Sequence, residues 1–262
     1  IGVDEEGGTV VRVSKFKEFR DTPFLSPRTL YEKGGMSLVI EDVNEKTYLL
    51  KSLGINVNLA PVSDLSFDKK DFMYDRAFGV SIEKTSDYIT SVVSAMNKQK
   101  FGSVLKHFPG YGNNEDTHTG IAYDNRSYET FKTEDFLPFE AGIKAGANSI
   151  LVSHNIVKSM DDKMPASLSK EVHRILREEL KFDGVVMTDD LIMDAITTFT
   201  NGKAAAVTAV NAGNDLLIAS DYKIQIPAVL EAVQNGDIKE ETIDKAAIRV
   251  LTWKETLGLL EE

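Results

Sequence analysis

The chain has 262 residues, 42% of them hydrophobic, enough to bury the core of one large domain or two small ones. Its formal net charge of −11 creates a field that repels phosphate polymers, which speaks against a nucleic-acid partner or an anionic membrane surface. The absence of cysteine excludes disulfides and thiolate metal sites, and no apolar run reaches the roughly 18 residues needed to span a bilayer.

The opening "IGVDEEGG" reads as the end of a strand running into a glycine turn, with no initiator methionine and no charged-then-apolar leader. Residue 1 is therefore read as the start of a fragment or of the ordered part. The compartment stays open between the cytoplasm and a cell-surface lipoprotein. A helix over "EDVNEKTYLLKSLG" then leads into a strand over "GINVNLAPVSDL", and a second over "SIEKTSDYITSVVSAMNKQKFG" leads into "GSVLKHFPGYG". "ANSILVSHNIV" is the next apolar strand. In "SLSKEVHRILREELKFDG", Val172, Ile175, Leu176 and Leu180 form one helical stripe, with Ser167 or Ser169 as cap and Gly184 past the end. "GVVMTDDLIM" and "NDLLIAS" follow as strands. "EETIDKAAIRVLTWKETLGLL" reads as a closing amphipathic helix that completes the C-terminus.

Strand and helix alternate without a linker or a change of composition, so residues 1–262 are read as a single α/β domain with a mostly parallel sheet. Asp4, Asn58, Lys106, His107, His154 and Asp189 all fall at the C-terminal ends of predicted strands. Polar groups gathered there from several strands point to a TIM-like (β/α)₈ barrel. A doubly wound sheet usually gathers its ligand around one or two strands beside a switch point. Six strands are legible, so two βα units are expected to be absent from the N-terminal side.

The strand ends carry the chemistry. Asp189 and Asp190 either deliver a carboxylate to the barrel mouth or cap the next helix. Lys106 and His107 end another strand, Arg76 lies in the loop "DRAFG", and Asp4 and Arg12 flank the first strand. Taken singly, "DEEGG" is a common turn and Arg76 a surface ion-pair partner; their shared position makes them informative. Fixed donors and carboxylates without a Gly-rich phosphate cradle suit a neutral polyhydroxylated ligand such as a sugar. In "KHFPGYGNNEDTHTG", residues 106–120, Gly110, Gly112, Asn113 and Asn114 favour turns. Asp116 precedes His118 by two positions, where it can set the imidazole tautomer as in a hydrolase dyad. A solvated loop and a metal site are the other readings; the histidines lack the i, i+4 helical spacing of a zinc protease, so no metal and no other cofactor is expected. His154 either lines the pocket, and so binds substrate, or is a satisfied structural histidine. His173, within an amphipathic helix, is assigned no role.

In order along the whole chain, these motifs resemble glycoside hydrolase family 3, in particular its bacterial β-N-acetylglucosaminidase (β-hexosaminidase) branch. "VDEEGGTVVR" is similar to the family's Asp-Gln-Glu-Gly-Gly-Arg-Val-x-Arg segment, and "GINVNLAPVSD" and "DRAFG" to its next two signatures. "KHFPGYGNNEDTH" resembles its Lys-His-Phe-Pro-Gly-His-Gly loop ending in Asp-Ser-His; "PASLS", "LREELKFDGVVMTDDLIM" and "AVNAGNDLLI" continue the likeness. The resemblance implies Asp189 as nucleophile and His118 as general acid/base, polarised by Asp116. It implies that Asp4, Arg12, Arg76, Lys106 and His107 hold the sugar's hydroxyls and N-acetyl group. Full-length members carry two more βα units before the "VDxEGG" strand, in keeping with the strand count. Glu5, Thr9, Tyr111 and Thr117 depart from the family's glutamine, arginine, histidine and serine. The expected activity is retaining, exo-acting hydrolysis of terminal GlcNAc from peptidoglycan- or chitin-derived fragments through a covalent glycosyl-aspartate. The alternatives are a β-glucosidase or other β-glycosidase of the family, and a non-catalytic sugar-binding protein. The expected partner is a small carbohydrate; oligomeric state is not legible.

Overall fold

The computed structural model describes residues 1–113, 120–200 and 204–260. In chain order its main elements are β1 (Gly2–Val3), α1 (Pro27–Ser52), β2 (Val57–Asn58), α2 (Ile82–Lys98), β3 (Gly102–Ser103), β4 (Leu105–Phe108) and β5 (Tyr123–Asp124). There follow α3 (Tyr128–Thr130), α4 (Phe136–Lys144), β6 (Ser149–Val152), β7 (Ile156–Val157), α5 (Lys170–Arg174) and β8 (Val185–Thr188). Helices α6 (Asp194–Thr200), α7 (Ala206–Ala212), α8 (Tyr222–Gln234) and α9 (Glu240–Thr256) complete the order.

Local chemistry sets the helix boundaries. Ser81 caps α2 by accepting from Lys84 N at 3.2 Å, and Tyr88, Ile89, Val92, Val93 and Met96 bury its inner face. Helix α1 begins earlier than expected, at Pro27. Ser26 accepts from Thr29 N there, and proline at the first position lacks a donor that has no partner in any case. The helix is interrupted at Gly34 and Gly35, the latter at φ 65°. In the segment 167–184 it is Ser169 that caps, accepting from Val172 N at 3.2 Å, and α5 continues into a π-helical turn, Ile175–Glu179. Val172, Ile175, Leu176 and Leu180 are all buried, as their spacing predicts.

The sheet is parallel and follows chain order. β1 pairs with β2 and β2 with β3; β4 pairs with β6 and β6 with β8. A bridge between Val62 and Lys106 joins the two halves, strengthened by the Ser63 N–H donating to Lys106 O at 2.7 Å. The segment expected as a strand over 214–220 runs parallel beside β8, with a bridge from Leu216 to Met187 and backbone bonds from Asp215 N to Val186 O at 2.8 Å and from Thr188 N to Leu216 O at 3.2 Å. A short parallel pair, β5 with β7, was not foreseen in the sequence; each strand is only two residues long, too short to show alternation. Among the described residues the array does not close on itself: it is a mixed α/β fold with an open parallel sheet.

β4, β6 and β8 are buried along their whole length; this accounts for the apolar runs of β6 and β8, while β4 buries Lys106 and His107 as well. The main core lies between these strands and helices α2 and α4. There Phe108 meets Phe136 in a stacked pair at 5.5 Å and Phe139 edge-on at 5.2 Å. α4 approaches closely because Gly142 faces Leu105: a Cβ there would lie 2.6 Å from a leucine methyl. Among the described residues no helix is long and apolar enough to cross a membrane.

Candidate active site

The loop after β1 is shaped by a buried carboxylate. Glu5 accepts from the backbone N–H groups of Arg12 and Val13, both at 2.7 Å, from Ser14 N at 3.2 Å, and from the Ser14 hydroxyl. This folds residues 9–12 back over the strand ends. Asn58 latches the loop from β2: its side chain exchanges two 2.9 Å hydrogen bonds with the backbone of Glu5. Gly7, at φ 98°, is required, because a Cβ would lie 2.1 Å from Leu25 O.

A cavity of about 500 Å³ opens beside this loop, within the size range of small-ligand sites. Asp4, Arg12, Arg76, Lys106, His107 and Asp189, all singled out in the sequence, contribute to its wall. Lys106 Nζ donates to Asp4 Oδ1 at 2.7 Å and to Glu6 Oε1 at 2.6 Å. Arg76 grips Glu6 with two prongs, Nη2 to Oε1 at 2.7 Å and Nε to Oε2 at 3.0 Å. Arg76 is thus neither a surface residue nor free to move. Burial opposes the Glu6 charge, but Lys106 and Arg76 outweigh it and hold the carboxyl down at about 2. Burial likewise works against the Lys106 ammonium, yet Glu6 and Asp4 raise it above its ordinary value.

His107 is oriented from behind by Asp64. The imidazole Nδ1 lies 2.7 Å from Asp64 Oδ2, which also accepts from His107 N at 3.0 Å, while Oδ1 accepts from Tyr111 N at 2.8 Å. Arg76 Nη2 stands 3.2 Å from Nε2. Guanidinium only donates, so Nε2 accepts and Nδ1–H points at Asp64.

The two adjacent aspartates divide the readings between them. Asp189 follows β8 and faces the cavity, its Oδ1 accepting from Asp190 N at 2.9 Å. Asp190 also reaches the wall but is engaged structurally, accepting from Ile192 N at 3.2 Å, from Ser220 N at 3.0 Å and from the Ser220 hydroxyl. Burial disfavours the Asp189 charge. His154, His107, the Asp190 N–H and Lys106 together overcome it and hold the carboxyl below its usual range.

His154 is fully buried and is not among the side chains at the cavity wall, an arrangement that fits the structural alternative for this residue. Its Nδ1 lies 2.7 Å from the Ser167 hydroxyl and its Nε2 3.1 Å from Asp190 O, which makes it a brace for the Asp189–Asp190 turn. His173 is buried, with Nδ1 2.7 Å from Ser169 O, away from the site. Asp116 and His118 lie outside the described residues. Among the described residues no three histidine, aspartate or glutamate side chains converge to hold a metal. Glu6 and Asp64 went unrecognised in the sequence. Their only signal is an acidic residue a few positions past a strand end, in "DEEGG" and "APVSD".

The described base of the 106–120 loop is held by Arg126. It donates to Gly110 O at 3.0 Å, to both oxygens of Asp124, and to Asp135 Oδ2 at 2.8 Å. Burial pushes Asp135 up to about 7, Arg126 only partly opposing it. An aspartate in the unfolded chain ionises near 4, so the folded protein carries the extra proton between about pH 4 and 7 and loses stability as pH rises through that window. Asp135→Asn should be spared this loss. Urea midpoints at pH 5 and pH 8 check it: the wild type's advantage over the variant should shrink or reverse at pH 8, and an advantage that grows with pH contradicts the assignment.

Carboxylates, cations and a braced imidazole converging on one polar cavity define a site for a neutral, hydroxyl-rich ligand. Residues 1–253 match the glycosyl hydrolase family 3 N terminal domain, and the chain belongs to that glycoside hydrolase family. It is 34% identical over 239 residues to a beta-hexosaminidase of Psychromonas ingrahamii, covering 88% of this chain and 69% of the relative. A beta-hexosaminidase of Xanthomonas campestris pv. campestris is 31% identical over 265 residues, 98% of this chain and 77% of that one. Among solved structures, a family 3 beta-N-acetylglucosaminidase from Paenibacillus superposes with a TM-score of 0.92 at 31% identity, covering 99% of this chain. The chain spans only 50% of that protein's length.

Proposed function

We propose that the chain carries the active site of a retaining, exo-acting β-N-acetylglucosaminidase that releases terminal GlcNAc from peptidoglycan- or chitin-derived fragments. The observation that carries this reading is the Asp189 carboxylate at the cavity wall, held toward its ionised form, beside Lys106, Arg76, His107 and Asp4. The relatives' names, beta-hexosaminidase and beta-N-acetylglucosaminidase, lend it support. In this reading residues 1–262 form one domain, and the open parallel array is part of a (β/α)₈ ring whose two remaining βα units lie outside it.

Asp189 attacks the anomeric carbon and forms a glycosyl ester while His118, oriented by Asp116, protonates the departing oxygen. Water then cleaves the ester as His118 takes its proton. Asp4 accepts from the sugar's hydroxyls, and Lys106, Arg76 and Arg12 donate to its oxygens, with His107 Nε2 orienting the Arg76 guanidinium at the cavity wall. His154 supports Asp189 from outside the cavity instead of touching substrate.

Hydrolysis of 4-nitrophenyl N-acetyl-β-glucosaminide, with 4-nitrophenyl β-glucoside turned over at least about 100-fold less efficiently, is the expected result. Trapping with a fluorinated GlcNAc derivative and peptide mapping should label Asp189. Inhibition without a label points instead to attack by the substrate's own acetamido oxygen, and equal turnover of both glycosides removes the GlcNAc assignment.

A further inference from the structure

Glu6 stands behind the cavity wall, yet it touches both cations on that wall. One oxygen, Oε1, accepts from Lys106 Nζ at 2.6 Å and from Arg76 Nη2 at 2.7 Å. The ammonium and the guanidinium are thereby held within two hydrogen-bond lengths of each other. Like charges keep that spacing only with an anion between them. Glu6 is itself tied down from α1. Its carbonyl accepts from Lys46 Nζ at 3.1 Å, and Lys46 pairs with Asp42, one helical turn before it, at 3.0 Å. The side chains of Asp42 and Lys46 are each only 8% exposed. An ion pair placed in a helix's buried face is poor evidence of stabilisation, since apolar residues of similar volume serve as well or better there. Its bond to the Glu6 carbonyl supplies the reason for a lysine at this position.

Building on the sugar-binding reading above, we infer that Glu6 is a positioning residue: it couples Lys106 and Arg76 into one two-pronged donor facing the ligand, and Lys46, backed by Asp42, holds Glu6 in place. Glu6 also cancels charge. With its carboxylate and that of Asp4 beside them, the two cations offer hydrogen bonds to a neutral sugar without strongly attracting an anion. Glu6 is therefore a determinant of ligand charge as well as of geometry.

Glu6→Gln tests this, because it keeps the shape and removes the charge. The KM for 4-nitrophenyl N-acetyl-β-glucosaminide should rise by about 10-fold or more while kcat changes less than about 3-fold, as expected for loss of ground-state binding. Inorganic phosphate, used as a competitive probe, should inhibit the variant at least about 10-fold more strongly than the wild type. The Lys106 ammonium, followed by NMR of its Cε, should titrate at lower pH in the variant. The charged groups around it are Glu6 and Asp4 from the loop after β1, Arg76 from the loop after β2, and Asp189 from the end of β8. A merely structural role for Glu6 would lower the melting temperature and leave phosphate inhibition and the Lys106 midpoint where they were; that result overturns the inference.

Should Glu6→Gln not fold, the double variant Asp42→Leu/Lys46→Met removes the α1 support without stranding a charge. It should raise KM by about 3- to 10-fold and leave the Lys106 midpoint unchanged; an unchanged KM overturns the inference. Wild-type protein that fails to hydrolyse the glycoside counts against the proposed function alone, since the Lys106 titration reads Glu6 with or without turnover.

Discussion

Asp189→Ala should lower kcat on 4-nitrophenyl N-acetyl-β-glucosaminide by about 10⁴-fold or more, the scale seen when a nucleophile is removed from a cooperating set. The alanine leaves space beside the anomeric carbon, so azide should restore part of the turnover and yield the α-glycosyl azide. That product forms by a single inverting attack, whereas the wild type should return the β-sugar after two. The pH profile offers a separate check. Attack needs the carboxylate, and its neighbours hold the folded carboxyl below its ordinary range, so it stays ionised to lower pH than a free aspartate. Any acidic limb of kcat/KM set by Asp189 should therefore fall below the range in which an ordinary aspartate titrates. An Asp189→Ala enzyme retaining a tenth of the activity would remove Asp189 from the mechanism.

Asp64→Asn is expected to have the second-largest effect, through His107. The wild-type carboxylate takes three donors, His107 N, His107 Nδ1–H and Tyr111 N. An amide keeps one acceptor oxygen, and whichever way it is turned an NH₂ faces one or two of those donors. The imidazole can relieve the clash by moving its proton to Nε2, but Nε2 then meets the Arg76 guanidinium donor to donor. Either outcome leaves buried polar groups mispaired. A loss of about 2–4 kcal/mol of folding stability follows, along with a fall in kcat/KM of about 10²-fold or more from the misoriented ring. His107→Gln supplies a control: its acceptor oxygen can face Arg76 and its NH₂ can face Asp64, so it should be the milder change. NMR of the imidazole nitrogens in Asp64→Asn should report the proton on Nε2. A ring still protonated at Nδ1, with stability intact, contradicts this account.

The parts of the molecule legible in the sequence are those governed by local rules. Ser169 is a start signal that acts within four residues, and the stripe from Val172 to Leu180 reports burial directly. Asp4, Lys106, His107 and Asp189 were recognisable because each sits on or just past an apolar run. The pair at 189 and 190 could not be apportioned, since the division depends on Ser220, thirty residues on. His154 has the same position relative to its strand as a pocket residue, yet Ser167 and the Asp190 carbonyl claim its nitrogens. Glu6 and Asp64 escaped notice for a related reason. Their significance lies in partners 40 to 100 positions away along the chain, and nothing near them in sequence marks those partners.

In the main parallel array, β1-β2-β3 and β4-β6-β8, strands are added in chain order, with β5 and β7 pairing apart from it. During translation a later strand of this array can therefore find its docking edge already present. The cavity does not grow in that way. The contact of Lys106 with Asp4 spans 102 residues, and Asp189 arrives only when β8 takes its place at the far side. A nascent chain can thus possess most of its architecture while lacking its chemistry, and any reactive carboxylate appears only once the scaffold that restrains it is complete.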